Sequence, residues 1–137
     1  MNPAGILLDT GPLVAMLSQN DVNHARAREQ FAQCVPPFRS CEPVVAEACF
    51  LMRKVHEAGP AEVASLGRRG LFKIGISVEE HWPNIETLLR RYSDRRISLA
   101  DACLIRCAEV HQEARILTFD DDFRIYRWAR HRKFELL

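Results

Sequence analysis

The fold of this chain is restricted most by very short apolar runs that recur along it, each separated from the next by a segment of helical period. Gly5-Ile6-Leu7-Leu8 is the first run and reads as a buried strand; 38–41, 71–77, 115–118 and 134–136 have the same character. Between them the pattern predicts helices. One starts near Pro12 and runs through Leu17, and a polar one covers 21–33 before Pro36-Pro37. Pro43 opens a helix over 44–57, which Gly59-Pro60 ends, and further helices follow over 61–69 and 79–91. Ser98-Leu99-Ala100-Asp101 has the form of a capping box and opens a helix to His111. After 118 an acidic turn leads into a short helix reaching Arg130. Strands separated by helices of this length argue for an α/β chain, a three-layer α/β/α sandwich around a parallel sheet. With 137 residues, one domain over 1–137 is expected.

Composition removes several function classes. Hydrophobic residues at 47% and charged residues at 27% are globular proportions, which excludes disorder, collagen and coiled-coil arrays. Nineteen Lys and Arg against eighteen Asp and Glu leave +1, so any basic surface for nucleic acid must be local. No uncharged stretch reaches the ~18 residues of a membrane helix, and no membrane partner is expected. Asp9 interrupts the apolar run a signal peptide requires, and no basic segment precedes it. The five cysteines are odd in number and form no Cys-x-x-Cys pair, which fits buried thiols in a reducing cytoplasm. The expected location is cytoplasmic.

The chemistry lies in four acids. Glu47 falls inside the stripe Val44, Ala48, Leu51, Met52 and Val55, where an unpartnered carboxylate costs several kcal/mol, about the effective penalty for a buried ion. It must be paired, protonated or bound to a cation, or else lie at the stripe's edge and reach solvent. Asp101 shares a face with Leu104, Ile105 and Ala108 on a helix apolar nearly all round; closing the Ser98 capping box is its plainer role. Asp9 and Asp120 each follow a buried strand, the place where open α/β sheets bind ligands, although an Asp there is often a helix cap. Four such carboxylates in one crevice repel, at about 4 kcal/mol per pair of charges ~4 Å apart. Hard oxygen donors without His or Cys select Mg²⁺ or Mn²⁺ over Zn²⁺. An ion held in this way equips a site for phosphodiester hydrolysis.

Four blocks carry a resemblance. Leu7-Leu8-Asp9-Thr10-Gly11-Pro12-Leu13-Val14-Ala15, Glu42-Pro43-Val44-Val45-Ala46-Glu47, Ser98-Leu99-Ala100-Asp101-Ala102 and Leu117-Thr118-Phe119-Asp120 resemble, in order and spacing, the signature blocks of PIN-domain ribonucleases, nearest the VapC-like toxins of toxin–antitoxin pairs. The segment 21–27 resembles the family's second helix. The resemblance implies a sheet ordered 3-2-1-4-5, and Mg²⁺ or Mn²⁺ held by Asp9, Glu47, Asp101 and Asp120 as the catalytic acids. Thr118 and Thr10 support that site, and Asp122 is an alternative ligand to Asp120. It also implies an RNA substrate, a homodimer and a cognate antitoxin protein. Met16, Phe31, Phe50, Leu51 and Met52 lie on helices expected to line the antitoxin's groove.

Weaker signals have plainer readings. Cys103, Cys107 and His111 recur on one helical face, but a thiol-lined core explains them better than zinc, which needs four ligands. Arg90-Arg91, Arg95-Arg96, Arg124, Arg127 and Arg130 are either solvated faces or a local phosphate trap; Arg95, Arg96 and Arg124 are the RNA-binding candidates. A signalling receiver would place a second acid beside Asp9, and a haloacid-dehalogenase phosphatase would place one where Gly11 stands. The remaining alternatives are a PIN-fold module that only binds RNA or protein, and a housekeeping RNA-processing nuclease without an antitoxin.

Overall fold

The computed structural model describes residues 4–137. Its elements are β1 (Leu7–Leu8), α1 (Thr10–Leu17), α2 (His24–Ala32), β2 (Phe38–Ser40), α3 (Glu42–Val55), α4 (Gly59–Arg68), β3 (Phe72–Ile74), α5 (Trp82–Arg91), α6 (Leu99–His111), β4 (Arg115–Leu117), β5 (Arg127–Trp128), β6 (Arg132–Lys133) and β7 (Glu135–Leu136). Five strands form a parallel sheet ordered β3-β2-β1-β4-β7. The strand expected near 134–136 is β7, so the order 3-2-1-4-5 expected for the five sheet strands is observed. No helix among the described residues is long and apolar enough to cross a membrane.

Strand alternation divides the core between the two faces of the sheet. Ile6 and Leu8 point to one side and pack with Leu13 of α1, Met52 of α3 and Leu66 of α4; Leu7 points to the other and packs with Ile85, Leu88 and the buried face of α6. β1 is buried on both faces and hands over at once to α1, whereas the edge strands β3 and β7 are largely exposed. β1 pairs with β2 on one side and β4 on the other, so the chain reverses direction of travel across the sheet at β1. The carboxyl ends of β1 and β4 therefore sit at the topological switch, the place where a crevice opens in such sheets.

Three elements differ from expectation. α2 starts at His24, because the Asp21 carboxylate accepts the Asn23 N–H at 2.8 Å and holds 21–23 as a turn. Gly59-Pro60 opens α4 rather than only closing α3: a Cβ at Gly59 would collide with the Met52 carbonyl oxygen, so the two helices meet at a position only glycine fits. The helix expected to reach Arg130 is absent. In its place a 3-10 turn, Asp121–Arg124, is followed by the antiparallel ribbon β5–β6. Ala129 and Arg130 are both left-handed (φ 47° and 73°), which ends any right-handed helix there. The Arg127 guanidinium donates to the carbonyls of Arg124, Ile125 and Tyr126, satisfying the groups that a continued helix would have paired.

Candidate active site

Asp9 leaves β1 as the cap of α1: its Oδ1 accepts the Thr10 N–H at 2.8 Å. Its Oδ2 accepts the Thr118 hydroxyl at 2.7 Å, and the same hydroxyl accepts the Asp120 N–H at 3.0 Å. One buried threonine thus ties the acid after β1 to the acid after β4. Asp101 stands one turn into α6, where the Ser98 hydroxyl caps the helix by accepting the Asp101 N–H at 3.0 Å. Its Oδ2 accepts the Tyr126 hydroxyl at 3.1 Å. Carboxylate oxygens of Asp9, Asp101 and Asp120 lie within 4.8 Å of one another. They face a crevice of about 440 Å³ that Thr10, Glu47, Arg96 and Asp122 also line.

Glu47 is an exposed side chain, not a buried one. The stripe of α3 that is fully buried is Val44, Ala48 and Met52, narrower than the sequence pattern implied; Leu51 is half-buried and Val55 exposed. Glu47 lies on the edge of that stripe, at the crevice mouth, where its Oε2 accepts the Thr10 hydroxyl at 3.0 Å. It lines the crevice but is outside the close triad. Asp122 is likewise a lining residue, 3.8 Å from Arg95, and Asp120 is the acid that joins Asp9 and Asp101.

Electrostatics make the triad costly as it stands. Burial, and then the charges of Asp9 and Asp120, push the Asp101 carboxyl up to about 7. Burial raises Asp9 as well, against the lowering effect of the Thr118 and Thr10 bonds. Among the described residues no Lys, Arg or His forms an ion pair with Asp9, Asp101 or Asp120. A compact set of hard oxygen donors with unbalanced negative charge fits a divalent cation such as Mg²⁺ or Mn²⁺, and offers nothing soft for Zn²⁺. Cys103 and Cys107 are core residues, and His111 bonds the Gly75 carbonyl at 2.6 Å; they do not gather as a metal cluster among the described residues.

The basic candidates separate. Arg96, left-handed at φ 55°, lines the crevice, and its guanidinium has no ion pair or hydrogen bond among the described residues. Arg95 faces Asp122, and Arg124 pairs with Asp121 at 3.2 Å on the open surface, away from the crevice lining. Of the groove residues, Phe50 is 63% exposed, Met16, Phe31 and Leu51 are half-buried, and Met52 is core. Tyr126 is the site residue that the sequence does not reveal. It is fully buried, held by edge-on contacts with Tyr92 and Phe123, and an aromatic in an apolar stretch gives no sign that its hydroxyl meets an acid on another helix.

A parallel sheet flanked on both faces, with carboxylates gathered at its switch point, defines an α/β domain with an acidic centre. The chain belongs to the PIN domain family, whose model matches residues 6–129. In structure it is similar to VapC20 of Mycobacterium tuberculosis, a toxin that cleaves the sarcin-ricin loop, with a TM-score of 0.79 and 20% identity over 93% of this chain and 99% of that one. At that identity the likeness is one of fold. No curated protein matches.

Proposed function

We propose that this chain is a divalent-metal-dependent endoribonuclease, a single PIN domain over 1–137, and the VapC-like toxin of a toxin–antitoxin pair. The observation that carries the reading is the triad Asp9, Asp101 and Asp120, closed to within 4.8 Å with no basic partner among the described residues. These three would hold Mg²⁺ or Mn²⁺, with Glu47 and Asp122 at the rim. A bound ion supplies Lewis acidity, offsetting charge that builds on a scissile phosphate and acidifying water.

The protein's own groups prepare that chemistry. Thr118 fixes the carboxylate of Asp9 and, through the Asp120 N–H, the turn that carries Asp120. Thr10 holds Glu47 toward the crevice, and Tyr126 holds Asp101. Leu51 and Phe119 form its apolar walls, and Arg96 is the unpaired cation that draws a phosphodiester toward four or more acids. RNA as substrate is supported by the family and by the fold shared with a toxin that cleaves the sarcin-ricin loop. A cytoplasmic homodimer with an antitoxin seated near exposed Phe50 completes the proposal.

RNA incubated with the purified chain should be cut in Mg²⁺ or Mn²⁺ and left intact in EDTA. Asp9→Asn and Asp101→Asn should each abolish cleavage while the protein stays folded. Cleavage that survives chelation, or both substitutions, overturns the assignment.

A further inference from the structure

The arginines around α5 and the ribbon do different jobs. Arg90 pairs with Glu86, Arg124 with Asp121, Arg127 caps carbonyls, and Arg132 lies over the Trp128 ring at 4.9 Å. The side chains of Arg91 and Arg130 have no hydrogen bond or ion pair among the described residues. With Arg106 they line a second cavity, about 410 Å³, between α5, α6 and the turn of the ribbon.

This cavity is held open by a carboxylate already in use. Glu109 accepts Arg106 Nη1 through Oε1 at 3.2 Å and the Ala129 N–H through Oε2 at 2.8 Å. It therefore fixes Arg106 on one wall and the left-handed Ala129-Arg130 turn on the other. Arg106 Nε donates to His81 Nδ1 at 3.1 Å, which orients its fork further. Three guanidinium groups against one doubly bonded carboxylate leave a cavity with surplus positive charge, and two of the three, Arg91 and Arg130, have side chains free to meet a phosphate.

We infer that this cavity is an anion subsite that takes a backbone phosphate of the RNA strand whose cleavage is proposed above, and it rests on that reading. Placement favours a strand over a free anion. Arg106 and Glu109 lie on α6 five and eight residues beyond Asp101, roughly 8–12 Å along the helix axis. Arg91 lies just before the 3-10 segment whose last residue, Arg95, faces Asp122 and is followed by Arg96 on the wall of the acid crevice. Positive groups thus continue from the crevice to the cavity, a path that a strand can follow and a small anion has no use for.

The test is binding of a short, fluorescein-labelled single-stranded RNA with EDTA present, at several salt concentrations. It compares wild type, the Arg91→Ala/Arg130→Ala double variant, the corresponding double Lys variant and Arg96→Ala. Both target residues are exposed, so unchanged melting temperatures are expected. The double Ala variant should bind about tenfold more weakly at low salt, with a salt slope shallower by about 0.7 for each phosphate that is no longer neutralised. Restoring charge with Lys should restore the slope. Equal binding by wild type and the double Ala variant, while Arg96→Ala weakens it, overturns the subsite and leaves the nuclease reading standing. Inorganic phosphate that stabilises wild type but not the double Ala variant, with RNA binding unaffected, makes the cavity a free-anion site and overturns the RNA assignment. RNA that wild type neither binds nor cuts overturns both readings.

Discussion

Asp101 is where several influences meet on one carboxyl. Burial and two neighbouring acids raise it to about 7, whereas an Asp in the unfolded chain sits near ~3.9. Between those values the folded protein binds more protons than the unfolded one, so stability falls as pH rises through that window. In EDTA the melting temperature should therefore drop between pH 5.5 and pH 8, and Asp101→Asn should flatten the drop and melt higher at pH 8. An unchanged slope in the variant would show that Asp101 is not the titrating group. Tyr126 works against the same strain. Burial, and next the Asp101 charge, push its phenol up, so it remains a donor throughout the neutral range. Tyr126→Phe removes a bond to a charged acceptor worth about 1.5 kcal/mol or more. Melting in EDTA should then fall by about 5 °C, and calorimetric titration with Mn²⁺ should show weaker binding because Asp101 is no longer held toward the crevice. Binding equal to wild type would reduce the phenol to a space filler.

Among the elements, those whose reasons are local are legible in the sequence. Each acid at a strand end can be read because the apolar run stops there, and Ser98 marks the start of α6 because its hydroxyl caps that helix. Hydropathy puts Glu47 in the right crevice for the wrong reason: it cannot say how wide the buried stripe of α3 is, and the edge of that stripe opens onto the site. The ribbon β5–β6 is invisible because its turn uses Ala129 and Arg130 at positive φ, where a hairpin normally announces itself with Gly or Asn. Gly59 carries the opposite lesson, since a residue that looks like a terminator is a contact surface. Gly59→Ala puts a methyl group against the Met52 carbonyl and should cost about 1–3 kcal/mol, the usual penalty for overpacking. Thermal or urea unfolding would register it, and a variant as stable as wild type would mean that the α3–α4 corner relaxes freely.

For the whole molecule, a net charge of +1 conceals a strong internal division: acids gathered at the sheet's switch point, arginines along α5 and the ribbon. A cation that binds only the folded arrangement stabilises it by mass action, about 2.7 kcal/mol at a hundredfold excess over its dissociation constant. For a chain of this size that is a rise of roughly 10 °C in melting temperature. Titration with Mn²⁺ should show it at pH 8, and Asp9→Asn or Asp101→Asn should blunt it. Wild-type curves that ignore the metal would remove the basis for any ion at this centre. The sheet order also has a consequence in time. Leu7 pairs with Ile116, and Asp9 takes its bond from Thr118, 109 positions later. A chain growing on a ribosome holds Asp9, Glu47 and Asp101 well before Thr118, Asp120 and Tyr126 exist, and the central strand waits with one side bare. The crevice is therefore still incomplete while the machinery making it has yet to add residue 126.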